Sequence, residues 1–224
     1  MLAQRLFVLL PVLTATVTFA EPQKSGGGAP PGLNGVYQVI PDGQALPGGL
    51  RNTGSPMEIA LLSAARQRVK SVDLTGDPAT LCQPLGPFRM MAQPHTKIEL
   101  VPGPGSLVVL FEDIAHGQMR TIHFNRSHPR DAEPTWLGDS VGRWEGSTLV
   151  VDTVGFNDRT WLNGAGASHS EALHLIERIR PVVGGTYLAY TVTAEDPQVL
   201  AQPYTYTRYY QKLETEIQED ICEY

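Results

Sequence analysis

The chain has 224 residues, a net charge of −6 and a pI near 5.5. That length fits one domain with decorations, and an apolar content of 42% can build a core. An acidic chain without a basic stripe excludes sequence-independent binding to nucleic acid, and no run of like charge marks a patch for an anionic membrane.

Gln4 and Arg5 precede an apolar run from Leu6 to Leu13, and Thr18-Phe19-Ala20 offers small residues at a signal-peptidase site. Residues 1–20 read as a cleaved secretory signal, too short and too interrupted at Pro11 to anchor stably in a bilayer. Residues 21–34, rich in Gly, Pro, Ser and Lys, read as a flexible linker. Residues 35–224 then form a single β-rich domain. Export changes the meaning of the two cysteines, Cys82 and Cys222. In an oxidising compartment a lone pair is most simply a disulfide, with two buried thiols as the other reading.

Order begins with a short strand at Gly35-Val36-Tyr37. Ser55-Pro56-Met57-Glu58 has the form of a capping box with Pro at the first helical position, and Ile59, Leu62, Ala65, Arg66 and Val69 follow at helical spacing. One helix is expected from there to Ser71. From His95 onward the pattern is β: Lys97–Val101, Leu107–Glu112, Met119–Phe124, Gly142–Glu145, Thr148–Val154, Leu173–Val182, Thr186–Ala194 and Tyr204–Leu213. Pro181 should end its strand, and Gly184-Gly185 should make a two-residue hairpin loop. Roughly eight to ten consecutive antiparallel strands remove their edges best by closing. The expected fold is mainly β, an antiparallel up-and-down calycin- or lipocalin-like barrel with one N-terminal helix. A β-sandwich is the alternative.

Alternation along Leu173–Val182 puts Leu173, Leu175, Glu177 and Ile179 on the more apolar, inward face. A carboxylate there is costly unless paired or protonated. Glu177 is therefore either a general acid or base, or half of a structural pair with an interior arginine such as Arg143 or Arg208. His169-Ser170-Glu171, in the loop just before that strand, offers an imidazole and a carboxylate at a barrel mouth. Asp152 lies mid-strand with its face undecided; pointing inward it would be a second interior acid beside Glu177. Glu177, His169, Asp152 and Glu171 form the candidate catalytic set. Trp136, Trp161, Phe156, Asn157, His174 and Arg143 form the candidate ligand-binding set, with an aromatic pocket in view; Trp144 reads as core. The spacing of His169, His174 and Glu177 is a poor metal signal, since a strand sends His174 away from Glu177. No metal is indicated, and no phosphate-binding or dinucleotide loop implies a cofactor.

The block from Trp136 to Asn157, with His169-Ser170-Glu171, Leu173-His174 and Glu177-Arg178, resembles an uncharacterised family of exported bacterial β-rich proteins. The likeness extends to Asp77–Cys82 and to Cys222-Glu223. It implies export and a β-rich domain, and carries no catalytic roles. Three functions are in view. The first is an exported barrel holding a small, partly apolar molecule in its interior. The second is a cofactor-free acid–base lyase, isomerase or hydrolase. The third is an envelope interaction module without a pocket. Oligomeric state is not legible.

Overall fold

The computed structural model describes residues 33–94, 96–112, 118–219 and 222. The expected signal at 1–20, most of the linker at 21–34 and the expected turn at His116-Gly117 lie outside them. Among the described residues, no helix is long and apolar enough to cross a membrane.

Nine strands close into a barrel in chain order. They are β1 Gly35–Val39, β2 Lys97–Gly103, β3 Ser106–Phe111, β4 Met119–Phe124, β5 Asp139–Glu145, β6 Thr148–Val154, β7 His174–Val182, β8 Tyr187–Glu195 and β9 Tyr204–Leu213. Closure sets the sandwich aside. The expectation of purely antiparallel pairing needs one correction. β4 and β5 run parallel through Ile122↔Ser140, His123↔Val141 and Phe124↔Gly142. Every antiparallel joint reverses strand direction, so a ring of nine cannot be antiparallel throughout; one parallel joint is the least departure that lets β9 pair antiparallel with β1, as it does. The connection from Asn125 to Gly138 supplies the chain length that a parallel return demands.

At that joint Gly142 has a steric role. A Cβ there would lie 2.7 Å from the Phe124 ring and 2.8 Å from an Ile122 methyl. A bare backbone lets both side chains enter the interior, with Trp144 tilted against Phe124 at 6.4 Å.

Strand alternation builds the core. In β3 and β4, and in β7 as far as Ile179, every second side chain is buried. Leu107, Phe111, Ile122, Leu149, Val151, Leu175, Leu188, Val192, Tyr206 and Tyr210 meet in one interior cluster. β7 follows the expected alternation, with Leu173, Leu175, Glu177 and Ile179 all buried. Pro181 does not end the strand, because it still lies opposite Leu188. The hairpin loop is Val183–Thr186 rather than two glycines, since Val182 and Tyr187 are the last partners.

The single helix expected from Ser55 to Ser71 is divided. Ser55 does cap a turn, accepting from the Met57 amide at 3.2 Å, but the turn is a 3-10 helix of three residues, Pro56–Glu58. Leu61 then bridges to Leu200, while the Leu62 amide donates to the Val199 carbonyl and the Ala201 amide to the Ala60 carbonyl. These tertiary bonds hold residues 59–62 extended against their helical spacing. The helix α1 begins only at Ser63 and runs to Ser71, burying Ala65 alone. A second helix, α2, is a single buried turn at Pro87–Met90. The expected disulfide is present: Cys82 and Cys222, 140 residues apart, have Cα atoms 5.7 Å from each other.

Candidate functional site

Glu177 is fully enclosed, 1% exposed, and it is paired. The Arg120 guanidinium grips both carboxylate oxygens, with Nη1 donating to Oε1 at 2.8 Å and Nη2 to Oε2. The Tyr190 hydroxyl donates to Oε1 at 2.8 Å, and the Thr153 hydroxyl to Oε2 at 3.3 Å. Arg120 also donates to Ser140 (2.9 Å) and Thr153 (2.6 Å). Burial alone would weaken the arginine's hold on its proton, but the charge and hydrogen bonds of Glu177 outweigh that and raise its pKa. Burial, then the neighbouring carboxylate, pushes the Tyr190 hydroxyl well above its usual range. This is the structural pair that the sequence offered as one reading of Glu177, with a different arginine. Arg143 is exposed and bonds Glu145; Arg208 is buried elsewhere. Arg120 was legible, because it shares a face with Ile122 and Phe124.

Around this pair the barrel is filled. Met91, Phe111, Ile122, Leu188, Tyr190 and Tyr210 are among the side chains that leave about 10 Å³ beside it, room for one water at most. Among the described residues the space beside Glu177 holds no hollow for an interior ligand: large tyrosines from β8 and β9 occupy it, two of them anchored by donating to the Phe88 and Met91 carbonyls at 2.5 Å.

The other candidate acids and bases do not converge on Glu177. His169 is 4% exposed and packs edge-on against Phe156 at 5.9 Å. Its Nδ1 lies 2.9 Å from the Ser170 carbonyl, which can only accept, so Nδ1 carries the hydrogen and Nε2 accepts from the Thr160 hydroxyl at 2.6 Å. Burial lowers its pKa, against the opposing pull of the Ser170 carbonyl and of Asp196 and Asp158. The folded chain therefore takes up this proton less readily than the unfolded chain. The stabilisation from a neutral His169 is present above the ordinary value of 6.5 and is lost as pH falls below it. Urea midpoints between pH 7.5 and 5 should fall more steeply for wild type than for His169→Gln; parallel slopes would contradict this assignment.

Asp152 points outward, because Leu149, Val151 and Thr153 take the inner face of β6. It joins a charged ribbon across β5–β8. His128 contacts Asp139 at 2.6 Å and Asp152 at 3.0 Å, and Asp152 contacts His174 at 3.1 Å. Burial opposes ionisation of Asp139, but hydrogen bonds from Arg126 and His128 outweigh it and lower its pKa. Among the described residues, no His, Cys, Asp and Glu side chains are grouped as metal ligands would be. Glu171 is exposed. The aromatic set forms no open pocket among the described residues, the space shared by Phe156 and Trp161 being too small for a water molecule. Phe156 is core, Trp136 is half-buried under the Arg159 guanidinium at 5.7 Å, and Trp161 is half-buried and bridged to Ser168. Asn157 accepts from the Arg159 amide at 3.2 Å, holding its own turn.

Larger spaces lie outside the interior: an open groove of about 530 Å³ beside Asn34–Val36, Glu99 and Lys212–Glu216, and, at one end of the barrel, a more apolar cleft. This cleft, of about 350 Å³, opens where β1 ends, between Val39–Asp42, the Ser55–Met57 turn, α2 with the residues after it, Asn163-Gly164 and Arg208. Each wall has a local cause. Asp77 caps the 3-10 turn Pro78–Leu81 through the Ala79 amide (3.0 Å) and clamps Arg89 of α2 with both oxygens, at 2.7 and 2.8 Å. The Arg89 Nε beside that clamp is buried without a partner. Asn163 donates to the Pro56 carbonyl at 3.0 Å and accepts from the Ala165 and Ala167 amides, which fixes the opposite wall. Arg208 alternates with Tyr206 and Tyr210 on the inner face of β9 and is 3% exposed. Of these cleft residues the sequence points to chemistry only at Arg208; Ser55-Pro56-Met57 stands out there as a helix cap alone. Arg89 lies in a four-residue turn with no periodicity to expose it.

No family model matches the chain, and no curated protein matches it in sequence. Among solved structures, the crystal structure of a mutant of the fluorescent protein UnaG is similar at 12% identity, over 54% of this chain and 73% of that one, with a TM-score of 0.31. So low a score adds nothing to the barrel assignment, which rests on the strand pairing itself.

Proposed function

We propose that the protein is exported and binds a small, partly apolar molecule, in the cleft at the barrel end rather than in the barrel interior. The observation that carries this reading is space combined with lining: the cleft offers about 350 Å³ bordered mostly by apolar side chains, against about 10 Å³ inside and a larger but mostly polar groove beside Lys212–Glu216. The cleft volume lies in the range of small-molecule sites. Its lining suits such a guest, with Val39, Ile40, Pro41, Pro56, Met57 and Ala92 giving apolar surface and a few polar groups giving orientation. Met57 is 59% exposed at the lip, a side chain that a guest would cover. Export is supported by the disulfide, a bond that persists in oxidising compartments.

Gly164 provides the test. It lies exposed on the cleft wall, and a Cβ there would meet only an Arg89 nitrogen, at 3.5 Å. Gly164→Trp should fill the cleft, changing stability by no more than about 0.5 kcal/mol. Native mass spectrometry of protein prepared from an exporting host should show a small molecule retained by wild type and lost from Gly164→Trp. Equal retention by both would place the guest elsewhere.

A further inference from the structure

Three arginines are buried among the described residues, and two of them are hydrogen-bonded to a carboxylate. Arg120 is gripped by Glu177 and Arg89 by Asp77, each through two parallel hydrogen bonds. Arg208 is buried as deeply, 4% of its side chain exposed, yet its hydrogen bonds go to neutral carbonyls. Its Nη1 donates to Thr53 (3.3 Å), Gly54 (2.8 Å) and Thr207 (2.9 Å). The Tyr206 ring lies 5.1 Å from its Cζ. Among the described residues, Nη2 and Nε make no hydrogen bond. The nearest carboxylate oxygen is Asp42 Oδ2, at 3.9 Å from Nη2 on a side chain 71% exposed, and the other Asp42 oxygen accepts from Asn52. A guanidinium offers its donors in a fork that fits a carboxylate, and Asp42 engages that fork only loosely.

We infer that Arg208 is the anion-recognition group of the cleft and that the ligand is a monocarboxylate with an apolar body. This rests on the reading that the cleft binds a small molecule. Asp77 already neutralises Arg89, so once the exposed Asp42 side chain is displaced Arg208 is the one cationic group left for a guest, which suits a monoanion better than a phosphate dianion. The carboxylate would take the free edge of Arg208, Nη2 and Nε, and displace the loose Asp42 side chain. The body would lie on Ile40, Pro94 and Met57.

The test compares matched probes by titration calorimetry on the full chain: benzoate, phenylacetate and octanoate against benzamide, phenylacetamide and octanamide. At least one carboxylate should bind about tenfold or more tighter than its amide, the worth of a hydrogen bond to a charged group. Arg208→Lys keeps the charge but not the fork, and should erase most of that preference. Asp42→Asn, at an exposed turn, should strengthen carboxylate binding by removing the competitor, a result available even if Arg208→Lys folds poorly. Amides that bind as well as carboxylates, with both lost in Gly164→Trp, would overturn the anion assignment and leave the cleft reading standing. Binding that survives Gly164→Trp would overturn both. No saturable binding of any carboxylate, or unchanged affinity in Asp42→Asn, would overturn the assignment of Arg208.

Discussion

Arg120→Met is expected to lower the unfolding free energy by about 3–5 kcal/mol, read as a lower urea midpoint. The substitution leaves the Glu177 carboxylate 1% exposed with no cation. Only the Tyr190 and Thr153 hydroxyls would remain to it, and hydroxyls do not replace a guanidinium fork in a medium that cannot hydrate charge. The pair itself should contribute little. In Arg120→Met/Glu177→Leu/Tyr190→Phe every charge and the dependent hydroxyl are gone. Ser140 and Thr153 can still bond each other at 3.2 Å, and the Tyr190 ring keeps its edge contact with Tyr210. That triple variant should recover all but about 1–2 kcal/mol. A single variant that unfolds at the wild-type midpoint would mean that water reaches Glu177. A triple variant as unstable as the single would mean that the charges set the packing rather than merely occupying it.

Cys82→Ser/Cys222→Ser has the second-largest expected effect, a loss of about 2–5 kcal/mol. The bond closes a loop of 140 residues, and chain-entropy scaling puts the upper end of that range near so long a loop. The location adds to the expectation. Cys82 directly follows the turn that Asp77 caps, and Asp77 also clamps Arg89 at the cleft. Loss of the bond should therefore weaken carboxylate binding as well as the urea midpoint, whereas Arg120→Met should move the midpoint with little effect on the cleft. Wild-type affinity in the double serine variant would separate the disulfide from the cleft wall.

How much of this was legible depended on periodicity. Strands announce themselves by a period of two, and β4, β6 and β9 lie where the pattern put them, with β7 one residue shorter. The inward face of β7, including Glu177, followed from the same rule. The helix failed because spacing at 59–62 says nothing of a partner strand: the backbone of residues 60–62 bonds to Val199 and Ala201, more than a hundred residues away. The direction of β5 was invisible for a similar reason, since no local pattern distinguishes a hairpin from a return crossing. The cleft was hardest. Its walls come from a capped turn, a four-residue helix and an Asn-centred loop, assembled by Asp77–Arg89 and Asn163–Pro56 contacts with no shared sequence signal. Arg208 could have been weighed more heavily, because an arginine alternating with Tyr206 and Tyr210 must be enclosed and must find an anion or lack one.

The parallel joint also bears on how the polypeptide could be rewired. Val36 and Leu213 are partners across the β1–β9 ladder, so the two extremities of the strand series lie side by side. β4 and β5 touch through three residue pairs and are linked by the long excursion from Asn125 to Gly138. In a circular permutant that splices the first and last strands and starts afresh inside that excursion, every antiparallel ladder would join strands consecutive in the chain. The lone parallel contact would then be made by its new terminal strands.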